Sequence, residues 1–389
     1  MRTMLNPSPN GNLNPSPNGS LNPSPNDRNG SLTKRLGPVG LLGLLLGLGN
    51  MLGCGPVAKG QTRGPMSPTQ MAASSKGEAL LDVKTVGLPF TILRRGGGEI
   101  DEPTFFAELY GQRAVCLGES HDNPHHHWAQ YYVFDKLSQH NGETQVTTAL
   151  GMEMFQRPFQ AVLDDYVAGK IDDKALLTRS GYAERWGYNW GFYASTVGLV
   201  RDRKLTLLAL NTAKELTKKV SRKGIPQLGK ADLSMLPEMN TEDPVHRAWW
   251  DTRMQGTSHV PTSTTSSSGH DPHDPHSANP VHENPKSDSA RPNTRSEWIY
   301  TAQVLWDETM ADGASAWLKE KPLKEEQGRQ IVIIAGAGHC HDSGIVNRVK
   351  RRGIKEVVSV RPVIETGDGE LATAIAESEN DYLFVMTPQ

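Results

Sequence analysis

Residues 113–127 read Arg-Ala-Val-Cys-Leu-Gly-Glu-Ser-His-Asp-Asn-Pro-His-His-His. An apolar run, Ala114 to Leu117, halts at a glycine and gives way to an acid, a hydroxyl and imidazoles. Asn123-Pro124 then has the form of a helix start. Pro at the first helical position lacks only an N–H that would have no partner there. Strand, polar turn and helix in that order are the opening of a βαβ unit.

The same grammar recurs along the chain. Apolar runs at 145–152, 204–210, 330–335 and 357–361 predict further strands. Shorter ones are expected at 90–93 and, as an edge, at 382–386. Helical patterns fit 124–139, 156–168, 172–180, 190–202, 213–222 and 296–319. Strands this apolar, alternating with helices, are buried on both faces. The expected fold is therefore α/β, with a mainly parallel central sheet flanked by helices. The connections before the third and fourth main strands exceed simple crossovers and predict a helical cap over one end of the sheet.

The N-terminal part is of another kind. Residues 1–28 carry an octapeptide, Leu5-Asn-Pro-Ser-Pro-Asn-Gly-Asn12, that restarts at Leu13 and Leu21. It has too little apolar surface to offset ordering entropy and reads as disordered. Residues 29–54 read as an export signal. Lys34 and Arg35 precede an apolar run over 36–48, which is shorter than the roughly 20 residues a membrane span needs. Met51-Leu52-Gly53-Cys54 follows and resembles a bacterial lipobox, which makes Cys54 the expected lipidation site. Residues 55–80 form a tether, and 81–389 the α/β domain. That domain is interrupted at 255–293 by a Ser/Thr/Pro-rich insertion carrying His259, His270, His273, His276 and His282, read as a solvated loop. A net charge of −2 gives no field to draw the chain onto nucleic acid. Three cysteines, Cys54, Cys116 and Cys340, predict no disulfide framework.

In open parallel sheets, ligands bind outside the carboxyl ends of the strands. There the first strand delivers Glu119 and His121, the second Glu153 and the third Asn211. The fourth ends in Gly336-Ala-Gly-His339, with His341 just beyond. Glu119, His121, Glu153 and His339 form a donor set for a divalent transition metal with an open position. The same four can run general acid–base chemistry without metal. On the following helix His125 is expected nearest the site and His127 turned away. Asp307 is expected to pack close by. Residues 182–193, with Trp186, Tyr188, Trp190 and Phe192, read either as a packed cap core or as a flat apolar platform with phenol ligands, suited to haem.

Taken in order, Leu117-Gly-Glu-Ser-His-Asp-Asn-Pro-His-His-His127 with Gln130, Gly151-Met-Glu-Met-Phe155 with Gln160, Trp190 to Tyr193, Ala209-Leu-Asn211, Gln303-Val-Leu-Trp-Asp-Glu-Thr-Met-Ala311 and Ala335-Gly-Ala-Gly-His339 resemble the ChaN-like haem-binding uptake group of the Tiki superfamily. The resemblance covers residues from about 85 to the end, apart from the His-rich insertion. It implies a lipid-anchored protein of the cell envelope, on the outer membrane or facing the periplasm. Such a protein binds haem for iron uptake, as a homodimer sandwiching haems, with Tyr193, Tyr188 or His126 as ligand. The wider superfamily also holds metal-dependent proteases and esterase-like enzymes. By that resemblance the alternative is a metal-dependent hydrolase with Glu119 as general base, and a third reading is an adhesion or scaffold protein.

Overall fold

The computed structural model of the chain describes residues 80–255, 294–320 and 328–387. The octapeptide repeat, the export signal with Cys54, nearly all of the tether and the His-rich insertion lie outside the described residues.

Eight strands form one sheet: β1 (Phe90–Arg94), β2 (Glu99–Ile100), β3 (Ala114–Leu117), β4 (Thr147–Gln156), β5 (Thr206–Asn211), β6 (Arg329–Ile334), β7 (Val357–Ile364) and β8 (Tyr382–Met386). Their order is β2-β1-β8-β7-β3-β6-β4-β5. The pairs from β8 through β5 are all parallel, and only β1 runs against its neighbours β2 and β8. The expected fold class therefore holds. Two details differ from expectation. β8 is not an edge but lies between β1 and β7. β4 does not stop at Glu153; it continues to Gln156 through a shift of register after Met152.

Alternation along the strands feeds two apolar layers. In β3, Val115 and Leu117 join Leu150, Met152, Val332 and Ile334 on one face, beneath Trp128, Phe134 and Leu137 of the helix Pro124–Glu143. Ala114 and Cys116 join Ala149, Ile331 and Ile333 on the other face. There Met310, Ala314 and Trp317 of the helix Thr294–Lys319 cover them. Both faces are thus dry. Polar side chains of functional type gather at the strand ends, which is where a site can form.

Helices Glu102–Tyr110, Pro244–Gln255 and Glu370–Glu377 were not foreseen. The first begins at Asp101, whose carboxylate accepts from the Thr104 N–H at 2.8 Å. The expected start at Asn123-Pro124 is realised: the Asn123 side chain accepts from the N–H groups of His125 and His126.

Two of the three cysteines pair, which the sequence reading did not anticipate. Cys116, in the middle of β3, and Cys340, next after His339, form a disulfide with 5.4 Å between their Cα atoms. A framework of many bridges is what three cysteines exclude; a single buried staple is not.

Candidate functional site

Register places the rim residues side by side. Leu117 of β3 and Met152 of β4 both pair with Ile334 of β6. Glu119, Glu153 and the Gly336–His339 turn follow these positions on three adjacent strands. Gly336 is where they meet. Its N–H donates to Glu153 Oε2 at 2.8 Å. A Cβ there would stand 2.8 Å from His121 Cε1 and 3.6 Å from Glu153 Oε2, so a side chain at the centre of the rim would have to displace the His121 ring.

On the β3 side Glu119 is buried and fully engaged. His121 Nδ1 donates to its Oε1 at 2.7 Å, as does the Tyr193 hydroxyl at 2.7 Å. The Gln130 amide donates to Oε2 at 2.9 Å. Burial works to raise this carboxyl, but the charges of His127 and His121 and the bonds from His121 and Tyr193 outweigh it and hold it below the ordinary value. For His121, burial works against the charged ring, and the carboxylates Glu119 and Glu153 lift it above its usual value. The ring of His121 meets Trp186 edge-on at 4.6 Å and Tyr188 at 4.9 Å.

On the β6 side His339 faces two acids. Nε2 stands 3.4 Å from Glu153 Oε1, and Nδ1 donates to Asp307 Oδ1 at 2.6 Å. Burial opposes its charge, yet Glu153 and Asp307 push it up to about 9. Gln303 donates to the carbonyl of Gly338 at 3.0 Å and so fixes the turn.

The remaining expected residues divide. Asp307 is wholly buried and bonded to His339, so it belongs to the site rather than to packing beside it. Asn211 is buried and braces the rim from behind, donating to the Glu153 carbonyl at 2.9 Å. His341 is not on the rim: it is buried against Trp249 with ring centres 4.1 Å apart, and burial pushes it down to about 3. The expectation for the His triplet is reversed. His125 is half-buried on the first helical turn. His127 is the one that reaches the site, with Nδ1 3.1 Å from Gln130 Oε1 and Nε2 donating to the His121 carbonyl at 3.1 Å.

Two of the expected haem ligands lie inside. The Tyr193 hydroxyl is spent on Glu119, and its side chain is 1 % exposed. His126 is buried, accepts from the Ser120 N–H at 2.9 Å, and is pushed down to about 3 by burial. Tyr188, 38 % exposed, stays at the mouth. The metal expectation is not met either: among the described residues no group of three or more His, Cys, Asp or Glu is arranged to hold an ion. Glu119, His121, Glu153 and His339 instead bond one another, Asp307 and neighbouring donors.

Two participants were missed. His246, on the helix Pro244–Gln255, places Nε2 3.2 Å from Asp307 Oδ2. Arg348 places Nη1 3.5 Å from the same oxygen. Neither stands near a motif that would have marked it.

Comparison with known proteins agrees with this picture. The solved structure of ChaN of Campylobacter jejuni, described as showing cofacial haem binding, superposes with a TM-score of 0.54 at 17 % identity, covering 77 % of this chain and 97 % of that one. Fainter likenesses, with TM-scores of 0.37 and 0.31, extend to an erythromycin esterase (11 % identity, 77 % and 83 % of the two chains) and to the C-terminal region of Pasteurella multocida toxin (9 % identity, 66 % and 23 %). No curated protein matches in sequence. The family described as haem-binding uptake, Tiki superfamily, ChaN, matches residues 105–349, a span that contains every rim residue named above, and the chain belongs to that family.

Proposed function

We propose that this chain binds haem at the β3–β6–β4 rim and carries it during uptake across the cell envelope, anchored by lipid at Cys54. The observation that carries the reading is the mouth of the site. Trp186 and Tyr188 form an aromatic wall against His121, and directly behind it lie buried, bonded polar groups. An aromatic wall backed by a few fixed donors suits an amphipathic cofactor with an extended apolar ring. Haem supplies an extended apolar ring and an iron that accepts axial ligands. His121 and Tyr188 are the residues that would hold it. His121 has the form of an iron ligand, one nitrogen tied to a carboxylate and the other left for the metal. Tyr188 is the weaker of the two, because burial and the charges of Asp122, Glu119 and Glu153 push its phenol up.

Export is supported by the buried Cys116–Cys340 disulfide, a bond that forms in oxidising compartments. A homodimer that stacks two haems is the assembly the family resemblance implies. The test is a haem titration of the whole chain followed at the Soret band. A saturable band, weakened at least tenfold in affinity by His121→Ala and by Trp186→Ala, is expected. A linear, unsaturable response would sink the reading.

A second reading has its own observation. Two carboxylate–imidazole pairs, Glu119–His121 and Asp307–His339, converge on Glu153, as a general acid–base hydrolase requires. Ester hydrolysis lost in both His121→Gln and His339→Gln would favour it; hydrolysis absent from the wild type would remove it.

A further inference from the structure

Behind His339 lies a group that a sheet-end histidine does not need for packing. Asp307 is wholly buried in the helix Thr294–Lys319 and carries a negative charge into the apolar layer. Its Oδ1 accepts from His339 Nδ1 at 2.6 Å. Its Oδ2 faces His246 Nε2 at 3.2 Å and Arg348 Nη1 at 3.5 Å. His246 in turn has Nδ1 3.2 Å from the Tyr300 hydroxyl, which can donate to it and leave Nε2 on the Asp307 side of the ring.

A lone buried carboxylate is expensive, and this one is compensated from two sides. Arg348, itself buried, also donates to the carbonyl of Gly344 at 2.9 Å and therefore cannot swing away to solvent. The carboxylate is thus fixed in place. Its Oδ1 is committed to His339.

We propose that Asp307 is the positioning residue of the rim: with His246 and Arg348 behind it, it holds the His339 ring with Nδ1–H turned inward and Nε2 turned to Glu153 and the opening. The orientation decides what the rim offers. With Nδ1 committed to Asp307, Nε2 is the ring nitrogen left to meet a ligand at the opening. This deepens the reading of the rim as the binding site and rests on it, but the test does not require haem.

The test is nitrogen NMR of the ligand-free whole chain with labelled histidine, compared with Asp307→Asn. In the wild type His339 Nδ1 carries hydrogen. In Asp307→Asn the remaining oxygen faces Arg348 and His246, which turns the amide NH2 to His339. Nδ1 then becomes an acceptor, and its hydrogen signal is lost. A wild-type ring bare at Nδ1, or an unchanged ring in Asp307→Asn, would overturn the proposal. Should Asp307→Asn fail to fold, His246→Gln keeps a donor toward Oδ2 while removing the Tyr300 link. It should leave Nδ1 protonated and speed exchange of that hydrogen several-fold, and an exchange rate equal to wild type would overturn the proposal. A chain that takes up no haem yet shows these signals loses the haem reading and keeps this one.

Discussion

The two sides of the rim hold the same pair, an imidazole bonded to a carboxylate, and build it in opposite ways. His121 and Glu119 lie two residues apart in one turn, and the His121 side chain is 26 % exposed against its aromatic wall. His339 and Asp307 come from a strand end and a helix, and are 11 % and 0 % exposed. The disulfide at Cys340 ties the second imidazole to β3, and Asp307 ties it to the helix layer. The difference points to a division of labour. The β3 side is the accessible face that meets a ligand, and the β6 side is the fixed reference against which it is placed.

Asymmetric mutations should break the comparison most. Asp307→Ala leaves Arg348 and two imidazoles without their anion in the interior, and is expected to lower stability by roughly 3–5 kcal/mol. His121→Ala leaves Glu119 its donors Tyr193 and Gln130 and should cost less, about 1–3 kcal/mol, as urea unfolding of both variants would show. Next in size is the staple. Cys116→Ser with Cys340→Ser should destabilise by roughly 2–5 kcal/mol, because the bridge closes a long loop. Its His339 resonance should broaden while that of His121 stays sharp; equal broadening would contradict the fixed-reference role.

Acidity separates other groups. His339 is raised to about 9 in the folded chain, while an unfolded histidine sits near 6.5. The folded state therefore binds the extra proton, and this contribution is complete below about 6.5 and drains away as pH climbs through about 9. His126 and His341, pushed down to about 3, act in the other direction: below about 6.5 the unfolded chain takes protons that the folded chain refuses, so stability falls on the acid side as well. The melting temperature against pH should form a dome, and His339→Gln should flatten its alkaline arm only. The smallest contrast lies between two glycines of one turn. Gly336→Ala meets His121 at 2.8 Å and should displace that ring at a cost of about 1–3 kcal/mol. Gly338→Ala meets only the rim of Trp249 at 4.0 Å and should stay within about 0.5 kcal/mol of wild type.

The same asymmetry explains what could be read from the residues alone. Strand identity, the parallel class and the rim position of Glu119, His121, Glu153 and His339 all follow from local runs that end in polar turns. Glu119–His121 is itself a local pair. Asp307 is 32 residues from His339, and only the docking of its helix brings it there. His246 lies on a helix that no periodic pattern announced. The His triplet failed for a geometric reason: the Asn123 cap sets the phase of the first turn, and it sends His127 rather than His125 toward Glu119. Cys116 and Cys340 are 224 residues apart, and their meeting depends on β3 lying beside β6, which sequence order does not state.

The most direct test of the account is addition of ferric haem to the whole chain with labelled histidines. Paramagnetic broadening should strike His121 and His339 together at substoichiometric haem. His140 should stay sharp, since it stacks on Tyr110 about 25 Å along the helix Pro124–Glu143 from its rim end. Broadening that spared both rim histidines, or fell on His140 first, would contradict a haem site at this rim.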